Sequence, residues 1–196
     1  MTNKPLEVAS AIRTIETEKY GLEALVRAFE DGLHEPFSRA VATLARLTGR
    51  VIVTGMGKSG HIGAKIAATL ASTGTPAYFV HPAEANHGDL GMIARDDAVI
   101  AISWSGESGE LKGIVAYSRR FSIPLIAITA NPQSTLGRES DVCLTLPKVP
   151  EACPHQLAPT TSTLMQLALG DALAIALLES RDFTASDFKV LHPGGS

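Results

Sequence analysis

Two short stretches of this chain carry residue types that can hold an anion. The first, VIVTGMGKSGHIG (Val51–Gly63), sets Gly55, Gly57 and Gly60 after an apolar run, with Lys58 and Ser59 inside the turn. Backbone N–H groups at the start of a following helix would attract phosphate. Read literally the glycines spell G-x-G-x-x-G, the dinucleotide fingerprint, but that fold wants an acid about 20 residues further on for the ribose. Counting on from Gly60 arrives at Val80 and His81; Glu84 is the nearest acid and lies beyond Pro82. The nucleotide motif G-x-x-x-x-G-K-[ST] fails as well, because Ile52 stands where its first glycine belongs. The second stretch, AISWSGESGE, offers Ser103, Ser105 and Ser108 with Gly106 and Gly109 relaxing the backbone. Several hydroxyls and free N–H groups there can converge on one phosphate dianion. A serine-glycine turn with a helix cap would explain either stretch alone. Two of them at strand ends favour a phosphate site.

The elements that must position these loops follow from periodicity. Apolar positions such as Ile12, Ile15, Leu22, Leu25 and Phe29 recur at helical spacing over residues 6–47, and Pro36 is expected to divide this region into two helices. Short apolar runs then suit strands at 51–54, 77–80, 98–103, 125–129 and 142–146. Helices are expected at 61–72, 110–120 and 135–139, a short turn near Leu90, and a long final helix over 161–178 with Thr160 to Thr163 as its caps. Nearly continuous apolar strands alternating with helices imply a parallel sheet covered on both faces. The expected organisation is one domain: N-terminal helices over 1–48, an α/β core over 51–180, and a polar tail over 181–196.

With 196 residues, 45% hydrophobic and 19% charged, the chain can bury one sizeable core. A formal net charge of −3 gives no basic footprint for nucleic acid. No apolar run of the roughly 18 to 20 residues a membrane span needs is expected. The N-terminus lacks the apolar stretch of a secretory signal, so a cytoplasmic protein is expected. Cys143 and Cys153 form no disulfide framework, and Cys153 and His155 have no second ligand pair, so no metal site is expected.

Taken together, GMGKSGHIG, HGDLGM, AISxSGES, EACPHxLAPT, GDALAIALL and FTASDF…HPGG resemble the sugar isomerase (SIS) domain of bacterial D-arabinose 5-phosphate isomerases. The resemblance covers about Thr54 to Gly195. It implies an α/β three-layer sandwich with a five-stranded parallel sheet, flavodoxin-like or Rossmann-like. It implies interconversion of D-ribulose 5-phosphate and D-arabinose 5-phosphate, the precursor of Kdo in lipopolysaccharide and capsule. It places catalytic positions at Lys58, His87, Glu110, Glu151 and His192, and phosphosugar contacts at Gly57, Ser59, Ser103, Ser105, Gly106, Ser108 and Thr160. Two departures stand out: many members continue into a pair of cystathionine-beta-synthase domains, and Trp104 replaces a small amide residue between the first two serines. The former implies a single-domain form or a piece of a longer chain.

Moving a carbonyl between C1 and C2 needs a base and a group to steady the enediolate, and no redox cofactor. Glu110 with His192 as partner is the favoured pair, with Glu151 and His87 as rivals. His192 lies on the tail, which suits a homotetramer whose sites are shared between subunits. A non-catalytic phosphosugar sensor and an isomerase of another phosphosugar remain the alternatives.

Overall fold

The computed structural model describes residues 5–181, 183–192 and 194. Strands β1 (Val51–Gly55), β2 (Ala77–Phe79), β3 (Ala98–Ile102), β4 (Leu125–Thr129) and β5 (Val142–Thr145) pair in parallel throughout, in the order β2-β1-β3-β4-β5. The helices are α1 (Leu6–Ala28), α2 (His34–Ala45), α3 (Lys58–Ser72), α4 (Pro82–Ala85), α5 (Lys112–Phe121), α6 (Thr135–Glu139), α7 (Thr161–Ser180) and α8 (Ala185–Leu191).

Alternation along each strand assigns its side chains to two cores. Val53, Ile100, Ile102, Ile126 and Leu144 face α1, α2, α3 and α7, whereas Ile52, Val99, Ala101 and Leu125 face α4, α5 and α6. The five-stranded sheet between two helical layers is the architecture expected from the sequence. β4 and α6 fall on their expected bounds, and α3 begins earlier than expected, at Lys58.

Three expectations are corrected. The N-terminal helices part at Asp31 and Gly32, whose φ is +98°, within a π-helical turn over Phe29–Leu33, not at Pro36. Pro36 instead sits in the first turn of α2, where its missing N–H costs no helical bond. The tail is not merely polar chain, since Thr184 and Asp187 form a reciprocal capping box that starts α8. An apolar run long enough to cross a membrane does exist: α7 has 20 residues and a mean hydropathy of 1.5. Its Met165, Leu169, Leu173 and Leu177 are nevertheless 0% exposed, packed in the first core. Each such burial is worth about 1.5–3 kcal/mol. The protein's own core accounts for the buried half of α7, while Ile175 remains 46% exposed.

Candidate active site

β1 is the strand on which the site is built. It leads by α3 to β2 on one side and pairs with β3 on the other, so the strand order reverses between β1 and β3. Ligands of open parallel sheets sit outside the carboxyl ends of the strands at such a point. Gly55 stands opposite Ile102 in the register, so the turn at Met56–Gly57 and the loop at 103–108 emerge side by side. The two stretches singled out from the sequence are thereby brought together.

Gly57 caps α3 with φ +58°, a conformation that glycine adopts without strain. Lys58 opens the helix and is exposed; Ser59, next to it, is half-buried. The first N–H groups of α3 have no intrahelical partner, so they and the Lys58 ammonium present positive charge at one place.

The serine loop is held by its own bonds. Ser103 Oγ lies 2.9 Å from Ser108 Oγ and accepts the Gly106 N–H at 3.1 Å. Ser105 is exposed, and its Oγ accepts the Glu107 N–H at 3.2 Å. Gly106 has φ +70°, and a Cβ there would run into the Ser134 side chain. Glu107 is the anchor that sequence reasoning passed over. Its carboxylate accepts the Thr135 N–H at 2.7 Å and the Thr135 hydroxyl at 2.8 Å, fastening the loop to the start of α6. Those two bonds hold the carboxyl below the usual range. The signal was an acid and a helix start far apart in sequence, which only tertiary structure pairs.

Glu110 lies in a 3₁₀ turn over Gly109–Leu111 that precedes α5, with its side chain exposed. Asn86 Nδ2 donates to the Glu110 carbonyl at 3.1 Å, which brings the neighbouring His87, also exposed, toward the same rim.

Glu151 is placed differently. One of its oxygens accepts from the Thr160 N–H (2.7 Å), the Thr160 hydroxyl (2.9 Å) and the Ser162 N–H (3.3 Å). This carboxylate, rather than a Thr160 side-chain cap, closes the N-terminus of α7. The expectation that Thr160 to Thr163 cap the helix is corrected accordingly: Thr160 Oγ1 is occupied by Glu151 and by the Ala152 N–H at 2.9 Å. Partial burial pushes the Glu151 carboxyl up, but its bonds to Ser162 and Thr160 outweigh that and leave it below the usual range. In the same connection, backbone N–H groups of Ala158, Leu157 and His155 draw the Cys153 thiol down.

A cleft of about 290 Å³ opens between the first turns of α3 and α7, lined by Ser59, Trp104, Glu151, Thr163 and Gln166 among others. A roomier cavity, about 710 Å³, lies between α1 and the end of β5. It contains Arg27 and Lys148 but none of the sequence-derived site residues, so the candidate site is the one at the strand-order reversal. Among the described residues, no group of three or more His, Cys, Asp or Glu side chains converges as for a metal ion.

Among the described residues, the side-chain contacts of His192 are to Phe188 of α8, not to the two loops. Arg181 donates to the Gly74 carbonyl at 3.2 Å and to Thr75 Oγ1 at 3.0 Å, where the chain enters β2. The chain thus leaves α7 at the amino-terminal end of the sheet, opposite Lys58. The His192 ring stacks on Phe188 at 3.9 Å and its Nδ1 lies 2.9 Å from the Phe188 carbonyl.

The SIS domain family model matches residues 46–176, which contain both loops and most of α7. The chain belongs to the SIS domain family. This SIS domain is 53% identical over 186 residues to the arabinose 5-phosphate isomerase KdsD of Yersinia pestis, an alignment covering 94% of this chain and 55% of that protein. It is 51% identical over 192 residues to KdsD of Francisella tularensis, covering 96% and 58% respectively. The chain spans about half the length of the curated relatives it matches. An Escherichia coli CFT073 structure in complex with A5P superposes with a TM-score of 0.86 at 40% identity, covering 98% of this SIS domain and 100% of that chain.

Proposed function

We propose that this chain is a cytoplasmic aldose–ketose isomerase that interconverts D-ribulose 5-phosphate and D-arabinose 5-phosphate, supplying Kdo for lipopolysaccharide or capsule. The observation that carries this reading is the β1–β3 pairing, which sets a lysine-bearing helix start beside a serine loop. The likeness to KdsD proteins and to the A5P-bound structure supports the same substrate. The serine loop and the α3 N-terminus hold the phosphate, and Lys58 neutralises a developing enediolate oxygen. Glu110 takes the proton from the carbon beside the carbonyl, leaving an enediolate across C1 and C2. The proton returns to the other carbon, and His192 and His87 move protons between the oxygens. Glu151, committed to α7, orients Thr160 and keeps negative charge at the cleft wall.

The second part of the proposal is a homotetramer with shared sites. Ile15 and Val26 on α1 are 62% and 64% exposed and Val190 on α8 is 78% exposed, apolar surface that a neighbouring subunit would cover. A neighbour's His192 would then complete the site.

Purified protein assayed with ribulose 5-phosphate and no added cofactor, with and without a chelator, tests the activity. Aldose formation in both conditions is expected; binding without turnover would make the chain a sensor instead. Mixed His192→Ala and Glu110→Gln subunits, each inactive alone, should recover activity after subunit exchange. No recovery after demonstrated exchange would place each site within one chain.

A further inference from the structure

One polar side chain in the cleft is not used by the reading above. Gln166 sits on α7, three and four residues beyond Thr163 and Ser162, so all three share the face turned to Ser59 and Trp104. It is 1% exposed, and its Oε1 is buried with no partner. No hydrogen bond to either end of its amide occurs among the described residues. Buried carboxamides are almost always satisfied, because a dry unpaired acceptor forfeits the bond it had with water. The neighbours of Gln166 along the helix, Met165 and Leu169, show what the position would hold if it served packing alone.

What would satisfy this amide is set by its chemistry. A phosphate dianion, whose oxygens only accept, could meet Nε2 but never Oε1, and it already has the donors of the α3 N-terminus and the serine loop. A sugar hydroxyl donates and accepts. It answers Oε1 as it stands, and it would answer Nε2 equally if the amide were turned over. Trp104 connects the two places, because its backbone belongs to the serine loop while its side chain lines the cleft. A chain of hydroxyls attached to a phosphate on the loop would run along Trp104 toward Gln166. We propose that Gln166 is a substrate-binding residue that reads one hydroxyl of the sugar chain, which rests on the phosphosugar reading above. It discriminates between phosphosugars by the configuration or presence of that hydroxyl.

The test compares wild type with Gln166→Leu, and with Gln166→Met should the leucine variant lose its thermal transition. The unpaired acceptor is removed, so the melting temperature should stay level or rise. The kcat/KM for ribulose 5-phosphate should nonetheless fall about ten- to a hundred-fold. A purely structural glutamine would lower both. Among the C3- and C4-deoxy analogues, one should lose at least about tenfold on wild type but less than about twofold on the variant. Wild-type kinetics in the variant, or equal discrimination by both proteins, would overturn the assignment. So would a changed oligomer mass at unchanged affinity per site, which would give the amide to a subunit contact. Should wild type show no isomerisation, the activity proposal fails, and the inference is decided by titrating both proteins with arabinose 5-phosphate. Binding about tenfold weaker in the variant upholds it; equal binding, or none to wild type, ends it.

Discussion

Glu110 and Glu151 stand beyond the carboxyl ends of β3 and β5, and the fold treats these two acids in opposite ways. Glu151 has one oxygen engaged by two backbone N–H groups and a hydroxyl at the start of α7. Glu110 is held only through its carbonyl, by Asn86, and its side chain is exposed without a hydrogen bond among the described residues. An acid fixed as a cap is kept ionised and is poorly placed to cycle a proton. An acid on a short 3₁₀ turn beside the serine loop is free to approach a ligand held there and to be desolvated by it. The difference supports the proposed division, in which Glu110 transfers the proton and Glu151 holds the start of α7.

The largest effect that would test this division is on turnover. Glu110→Gln should lower kcat by roughly 10²- to 10⁴-fold, the usual worth of a general base, with KM and urea midpoint nearly unchanged. A variant with wild-type kcat would move the base to Glu151 or a histidine and collapse the distinction. Next in size is stability. Glu151→Ala leaves the first turn of α7 uncapped and should cost about 1–2 kcal/mol in urea unfolding. Loss of the same size in Glu110→Gln would show that both acids are structural.

The sequence made one of these acids easier to read than the other. Strands buried on both faces must be short apolar runs bounded by turn residues, so β4 and α6 were legible to the residue. The two glycine-serine loops were legible as loops at neighbouring strand ends, because glycine and serine cluster there after apolar runs. Glu151 as a cap was not, because capping is sought at the residue before the helix, whereas this carboxylate arrives from nine residues upstream. Glu107 escaped for the same reason, its partner Thr135 being 28 residues away. Gln166 was hidden inside an apolar helix, where one polar residue alters no periodicity. The capping box of α8 was local and readable, at Thr184 and Asp187, but the surrounding polar residues masked it.

The smallest effect concerns pH, and its sign follows from the cap. Hydrogen bonds from Ser162 and Thr160 leave the folded-state pKa of Glu151 below its unfolded value, which is near 4.3 for a free glutamate. A depressed carboxylate contributes stability that is fully present above the unfolded value and is lost as pH falls through the folded one. Solvent reaches this carboxyl, so screening keeps the contribution modest. Urea midpoints of wild type and Glu151→Gln should therefore differ most at about pH 6–7. The gap should narrow steadily below about pH 4.3 as the wild-type carboxyl takes up its proton. A gap that stays constant down to about pH 3 would mean that the charge of Glu151 contributes nothing to holding α7. The distinction between the two acids would then rest on hydrogen-bond geometry alone.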